Sequence, residues 1–209
     1  MDVATAYLVL GSPPQESDHL DLLDDLLWEL KERLQIDIIY QELVPRGEHL
    51  VEHRYLGEDE AVQVSLANDS KTPVDYLMVT APHDLAPALV TFLKDHLPVV
   101  EPEELRNRAR ERAADDPGVL VALAIAASDP DEETEFLIRQ ALQSPEENLR
   151  HAAIEAAALT SWPTLLSPLV HLYLNHPETD TRLLAGRSVQ ALIGACPAGG
   201  SPATHTPAK

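Results

Sequence analysis

Histidine is the residue whose spacing first suggests a metal site in this sequence. His49 and His53 are four residues apart, in a segment whose valine, tyrosine and leucine content predicts a β-strand. Consecutive strand residues advance about 3.3 Å, so the two side chains share a face but lie roughly 13 Å apart and cannot bind one ion. Cys196 is the only cysteine, which excludes a site built from several cysteines. The sequence therefore predicts no metal site.

Groups that could act as nucleophile, acid or base are found in the N-terminal half. Residues 17–19, Ser-Asp-His, are adjacent but do not follow the G-x-S-x-G pattern of a nucleophile turn. Asp75, His83 and Asp84 are acid/base candidates that no motif arranges, and Asp84 is better placed to cap a helix. The turn at 11–14, Gly-Ser-Pro-Pro, lacks the further glycines and the lysine of a phosphate-binding loop. These patterns predict no catalytic residue and no cofactor.

The elements that would position these side chains form a small α/β domain over residues 1–97. Short β-prone runs and two leucine-rich stretches follow one another in the order βαββββα, which predicts a two-layer α+β domain. The predicted strands cover 5–10, 36–44, 49–56, 61–66 and 74–80, and the predicted helices begin at 17 or 18 and at 84. Leucines of the first helix recur at intervals of three and four, which predicts a buried face flanked by Trp28. In 61–66, Gln63 and Ser65 alternate with apolar residues, which predicts burial of one face only.

From residue 103 onward the pattern is helical. Pro117, Pro145 and Pro177, spaced by 28 and 32 residues, each precede an apolar, alanine-rich stretch, and proline is tolerated in the first turn of a helix. Each stretch follows a partner helix, and the predicted partners cover 103–113, 131–143 and 164–175. We therefore expect three helix pairs over residues 103–195.

Three further segments complete the predicted organisation. Residues 118–127, GVLVALAIAA, are apolar on nearly every side of a helix and are expected to pack against the α/β domain. Residues 98–102, PVVEP, are expected to be a stiff joint, because proline restricts its own backbone and that of the residue before it. Residues 196–209 lack large apolar side chains and are predicted to be a disordered tail.

Two segments of the helical half resemble the HEAT-repeat pattern. NLRHAAIEAAAL at 148–159 and DTRLLAGRSVQALIG at 180–194 both place an arginine before small residues and an alanine–leucine pair near the helix end. The resemblance covers about residues 103–194 and implies an α-solenoid whose second helices line a concave face. The first unit departs from the pattern, because Val121 or Ala122 stands where the others have arginine. Residues 1–100 show no such resemblance.

The resemblance also bears on individual residues of these helices. Some HEAT-repeat enzymes bind iron through His-Glu pairs, but this chain contains no such pair, and His151 is followed by Ala152. The resemblance therefore implies no iron site. Arg150 and Arg182 occupy equivalent positions, and we expect them to bond to or stack on a neighbouring repeat.

Polar residues on the second helices form a candidate interaction surface opposite the alanine–leucine stripe. They are His151, Glu155, Arg187 and Gln190. We therefore predict a non-enzymatic protein–protein interaction module, an adaptor or scaffold, whose partner is another protein. Two alternatives stay open. One is an acidic inhibitor or immunity-type protein that neutralises a basic partner such as a nuclease, and the other is an enzyme with an unrecognised site in the α/β domain.

Charge is the least ordinary bulk property of the chain. The formal net charge is −20, and both halves have an acidic excess, which disfavours direct binding to nucleic acid or to an anionic membrane. No apolar run is long enough for a membrane span, and the first residues do not resemble a secretory signal. A cytoplasmic location is the resulting expectation, and the oligomeric state stays open.

Overall fold

A computed structural model describes residues 2–13, 18–58, 60–70, 72, 74–127 and 129–195. It has a mixed α+β fold, in which a five-stranded antiparallel sheet with two helices precedes a helical C-terminal region. The strands are β1 (Val3–Leu10), β2 (Ile38–Pro45), β3 (Leu50–Gly57), β4 (Gln63–Asp69) and β5 (Val74–Pro82). The helices are α1 (His19–Leu34), α2 (Ala86–His96), α3 (Pro102–Arg112), α4 (Gly118–Ala126), α5 (Glu132–Leu142), α6 (Glu147–Thr160), α7 (Leu166–Asn175) and α8 (Thr179–Ala195), with a 3-10 turn at Pro163–Leu165.

The α/β region has the predicted order of elements, βαββββα, although most strands begin or end a few residues from their predicted bounds. Neighbouring strands lie in the order β1-β5-β4-β3-β2, and each neighbouring pair is antiparallel. Strands β2 to β5 form successive hairpins. Helix α1 carries the chain across the sheet, so β1 pairs with β5, and β1 and β2 are the edges of this sheet.

Helix α1 packs on one face of the sheet through its predicted leucine face. Its inward leucines are buried: Leu23, Leu27 and Leu30. Trp28, expected at the flank of that face, is 68% exposed. Asp18 caps the helix, because its side chain accepts a hydrogen bond from the Asp21 backbone N–H at 2.8 Å. Ser17, the alternative cap, lies outside the described residues.

The prediction that Asp84 caps the second helix was wrong. Helix α2 begins at Ala86, and its N-cap residue is Leu85, whose side chain makes no capping hydrogen bond. Pro87 occupies the first turn. Because proline has no backbone N–H and already has a helical backbone angle, this turn has one unpaired donor fewer to satisfy and forms without a polar cap.

The face of the sheet opposite α1 and α2, called the second face below, is not simply exposed. Ser65 was expected to face solvent, but its side chain is 1% exposed, so the prediction of one-sided burial in this strand was wrong. Glu52 on β3, which is bonded to Ser65, is also buried. Alternation along a strand decides which face a residue points to, but not what covers that face.

Helix α4 covers part of the second face, as its apolar sequence predicted. It packs against β1 and β5. Leu120 and Leu123 of α4 belong to the same buried cluster as Val9 and Val74 of those strands. The sheet and the helical region therefore share a hydrophobic core.

Residues 98–102, predicted to be a joint, are bonded to β1. The Gly11 N–H donates to the Pro98 carbonyl at 2.7 Å, and the Val100 N–H donates to the Val9 carbonyl at 2.9 Å. A Cβ at Gly11 would lie 3.2 Å from the Pro98 carbonyl oxygen, so glycine permits this close approach. The link between the two halves is thus held against the sheet.

The later helices contact one another in two series. Helix α5 contacts both α3 and α7, helix α6 contacts both α4 and α8, and the two members of each consecutive pair are also in contact. The predicted alanine stripe of α6 is buried at Ala152, Ala153 and Ala156, but Leu159, placed in that stripe, is half exposed. The predicted tail, 196–209, lies outside the described residues.

Candidate functional site

A cleft of about 520 Å³ lies between the second face of the sheet and the C-terminal ends of α4 and α6. It lies beside α4, which packs mainly against β1 and β5, and residues of β3, β4 and the end of α4 all line it. Ile125 and Leu159 line the cleft on the helical side, and Tyr7, Tyr76 and Ser65 line it on the sheet side. Residues from both halves of the chain therefore build it.

The floor of the cleft is a network of ion pairs centred on Glu52, whose side chain is only 5% exposed. Its carboxylate accepts hydrogen bonds from Arg46 Nε at 2.6 Å and from Arg54 Nε at 3.4 Å. Arg54 also donates to Glu42 at 2.9 Å. Burial alone would raise the pKa of Glu52, but the bonds from Arg46 and Ser65 lower this pKa below its usual value. Glu52 is therefore a fixed anion that two arginines neutralise.

The walls of the cleft are apolar and aromatic. The rings of Tyr7 and Tyr76 have centroids 6.4 Å apart and planes inclined by 48°. Tyr7 and Leu159 are each about half exposed, so the walls present apolar surface to solvent. Burial raises the pKa of Tyr76, which keeps its hydroxyl neutral. An apolar wall above a small number of fixed polar groups is typical of a binding site.

The residues that line the cleft include one carboxylate, Glu52, and no histidine or cysteine. Glu52 is committed to Arg46 and Arg54, and the remaining polar side chains of the described lining carry hydroxyl groups. This arrangement can bind an apolar side chain and orient it by hydrogen bonds.

A larger hollow, of about 720 Å³, lies on the helical region and is lined by α3, α5 and the start of α6. Its charged groups are Arg110, Glu111 and Glu133, of which Arg110 and Glu133 pair with each other, and Phe136 at its side is well exposed. No buried charge lies at its base. We therefore take the cleft on the second face as the candidate site.

His19, at the start of α1, is a buried histidine. It is 7% exposed. Its Nδ1 lies 2.6 Å from Asp75 Oδ2, and its Nε2 lies 2.7 Å from the Gly11 carbonyl oxygen. Asp75 also accepts a hydrogen bond from Asn68 Nδ2 at 2.9 Å. We call these four residues the His19 clamp. It ties the end of β1, the start of α1 and β5 together.

Both ring nitrogens of His19 face acceptors, so both must carry hydrogen. The hydrogen bond to Asp75 raises the pKa of His19 although burial lowers it, and the same bond lowers the pKa of Asp75. Below the folded pKa of His19, the pair is a buried imidazolium and a carboxylate. Because neither nitrogen has a free lone pair, His19 cannot act as a general base in this arrangement.

The three acid/base candidates of the α/β domain do not come together. Asp75 is near the start of β5, whereas His83 and Asp84 follow its end, so Asp75 and His83 are separated by roughly 26 Å of strand. His83 is exposed and lies 3.5 Å from Asp2. The structure thus places Asp75 in the clamp and leaves the other two at the surface.

The two histidines considered for metal binding have different surroundings. His49 precedes β3 and is exposed, while His53 lies within that strand beside the ring of Tyr40. Over the parts of the chain that the structure describes, no three or more histidine, cysteine, aspartate or glutamate side chains are grouped so as to hold a metal ion.

The four residues of the predicted interaction surface differ in their surroundings. His151 is half-buried, and its Nε2 lies 3.0 Å from the Thr181 hydroxyl on α8. Glu155 is half-buried, whereas Arg187 and Gln190 are exposed on α8. His151 therefore links α6 to α8, and Arg187 and Gln190 lie nearer to solvent.

Arg150 and Arg182 make equivalent hydrogen bonds. Arg150 donates to the carbonyls of residues 144 and 145, and Arg182 donates to the carbonyls of residues 176 and 177, in each case six and five positions earlier. Arg150 also bonds to Glu178 in the next helix pair at 2.5 Å. Arg150 thus bonds to the next helix pair, while the bonds of Arg182 lie within its own pair.

Sequence reasoning missed the residues of the cleft. Glu52 and Arg54 are two positions apart in a predicted strand, so their side chains share a face of the sheet. This spacing could have predicted the ion pair between them. The burial of Glu52 had no local signal, because it depends on residues such as Ser65 of β4, which become its neighbours only in the folded sheet.

Comparisons with known proteins give no family for this chain: no protein-family model matches it, and no curated protein matches it either. Among the described residues, none of the helices combines the length and the apolar character needed to cross a membrane. The site has to be interpreted from its own geometry.

Proposed function

We propose that the chain is a non-enzymatic protein-binding module, an adaptor or scaffold, which holds an apolar side chain of a partner protein in the cleft. The observation that carries this proposal is the combination of half-exposed apolar walls at Tyr7 and Leu159 with a floor whose charge is already neutralised. Covering such a surface with a partner is favourable, because apolar area is removed from water and no unpaired charge is buried.

We propose further that residues 103–195 form a HEAT-like solenoid of three helix pairs. The two series of helix contacts and the equivalent bonds of Arg150 and Arg182 support this proposal. A shift of 32 residues, from 150 to 182, relates Glu155 to Arg187, so these two hold matching positions on α6 and α8. Glu155 is also one turn before Leu159. The binding surface would then run from the cleft along α6 to Arg187 and Gln190.

The partner in this proposal is another protein, and the net charge of −20 favours a basic one. The same charge supports the alternative of an acidic inhibitor, which would form a tight one-to-one complex that weakens with salt. The enzyme alternative gains no support from the cleft or the His19 clamp. We place the module in the cytoplasm, where the single Cys196 would stay reduced.

The proposal is tested by placing a photo-crosslinking amino acid, benzoylphenylalanine, at defined positions of the full chain in its native cells. We expect the same protein to be captured from position 159 and position 7, which face each other across the cleft. The matched control is Glu103, an exposed residue of α3 outside the cleft. Equal capture from all three positions, or none from the two cleft positions, would contradict the proposal.

A further inference from the structure

The outer edge of β2 is a second surface, separate from the cleft. Strand β2 pairs with β3 on one side, and among the described residues no strand pairs with its other side. Ile39, Tyr40 and Leu43 are each about half exposed along this edge. Edge strands of stable proteins are usually covered or heavily charged, because their unpaired N–H and C=O groups attract another strand. No residue of β2 lines the cleft.

Helix α1 brings an exposed aromatic side chain to this edge. Asp24, Trp28 and Lys31 are spaced by four and three residues, so they share one face of α1. At one end of this face, Asp24 accepts a hydrogen bond from the Tyr55 hydroxyl on β3 at 2.7 Å. At the other end, Lys31 pairs with Asp37, immediately before β2. Trp28 lies between these two anchors, so it stands beside the start of β2.

The backbone of β2 restricts where another strand could pair. The register between β2 and β3 shifts between Tyr40 and Glu42, which marks a bulge. Beyond it, Glu42 is bonded to Arg54, and Pro45 at the strand end has no N–H to donate. A bulge interrupts the regular row of donors and acceptors. Pairing is therefore confined to about three residues, Ile38–Tyr40, which are those beside Trp28.

The charge around this edge indicates the chemistry of what would pair there. Besides His19, which is bonded to Asp75, helix α1 carries two basic residues, Lys31 and Arg33, and both already pair with carboxylates, of Asp37 and Glu29. Its acidic residues are more numerous: Asp21, Asp24, Asp25, Glu29 and Glu32. An incoming segment with lysine or arginine would be attracted to this helix, whereas one with acidic residues would be repelled.

We infer that the start of β2 binds a short, extended, basic segment of another protein by strand addition. Backbone hydrogen bonds to Ile38–Tyr40 supply the pairing, an apolar side chain packs on Trp28 and Tyr40, and lysine or arginine side chains meet the acidic surface of α1. A second copy of the chain fits this edge poorly, because it brings the same acidic helix and the same bulge. The site uses no residue of the cleft, so it goes beyond the proposed function.

The test uses a synthetic octapeptide of alternating lysine and valine, whose binding to the full chain is measured by titration calorimetry at about 50 mM salt. A second peptide has the same sequence but carries N-methyl groups on alternate residues. It keeps every charge and side chain while losing the N–H donors of one edge. We expect N-methylation to weaken binding by about tenfold or more, and Trp28→Ala to weaken binding of the first peptide by a similar factor.

The matched control for Trp28→Ala is Phe136→Ala, which removes an equally exposed aromatic ring from α5, and it should leave the affinity unchanged. Equal affinity for the two peptides would show attraction by net charge alone and would overturn the inference. So would a peptide-free dimer that Trp28→Ala dissociates, because the occupant would then be a second copy. Crosslinking from position 159 in the Trp28→Ala variant reports on the cleft independently, so failure of one proposal is distinguishable from failure of the other.

Discussion

The His19 clamp should make the stability of this protein depend on pH in a defined direction. Replacing His19 by glutamine removes a buried imidazolium that donates to Asp75 and to the Gly11 carbonyl. A hydrogen bond that involves a charged group contributes about 1.5–3 kcal/mol, and the glutamine amide can restore one of the two bonds. We therefore expect His19→Gln to lower the free energy of unfolding by about 2–3 kcal/mol at about pH 6.

The sign of the pH dependence follows from the two pKa shifts. The pKa of His19 is raised in the folded state, so its contribution is complete below the unfolded pKa of about 6.5 and is lost as pH rises through the folded pKa. The pKa of Asp75 is lowered, so its contribution is complete above the unfolded pKa of about 3.9 and is lost as pH falls through the folded pKa. The clamp is thus most stabilising between about pH 4 and pH 6.5.

Urea unfolding followed by far-ultraviolet circular dichroism, at about pH 6 and about pH 9, measures this effect. The stability difference between the native chain and His19→Gln should be smaller at the higher pH. His83→Gln is the control, because His83 is exposed at the other end of β5, and it should change stability little at either pH. A His19→Gln difference that is the same at both pH values would refute the assignment of a buried imidazolium.

Three further outcomes follow from the core, the helix pairs and the cleft. Leu123→Asp should lower the free energy of unfolding by roughly 3–5 kcal/mol in a urea titration, because this fully buried side chain lies in the core that α4 shares with the sheet. Arg150→Met should cost about 2–3 kcal/mol and Arg182→Met clearly less, since only Arg150 is fully buried and bonded to the next helix pair; equal losses would contradict this. Glu52→Gln should reduce stability at neutral pH by about 1–3 kcal/mol, and the loss should shrink in acid, because the stability that comes from the lowered pKa of Glu52 is complete above the unfolded pKa and is lost as pH falls through the folded pKa. Thermal melts over a pH series measure that change.

Local regularities of the sequence were enough to predict the elements of this fold. The inward leucines of α1, the succession βαββββα and the matching roles of Arg150 and Arg182 all depend on groups within a few residues of one another, whose geometry is set by helix and strand periodicity. The packing of α4 against the α/β domain could be predicted too, because a helix that is apolar on every side has to be buried on every side.

Tertiary structure alone decided the candidate site. His19 and Asp75 are 56 residues apart, and they meet because α1 returns the chain to a sheet in which β1 lies next to β5. Ser65 and Glu52 look like solvent-facing positions of their strands, yet they are buried, because they lie on a face that other strands and α4 partly enclose. The sequence determines which way a side chain points from its own helix or strand. Which residues that side chain contacts depends on segments distant in sequence. Those contacts form only when the sheet order and the packing of the helical region are in place.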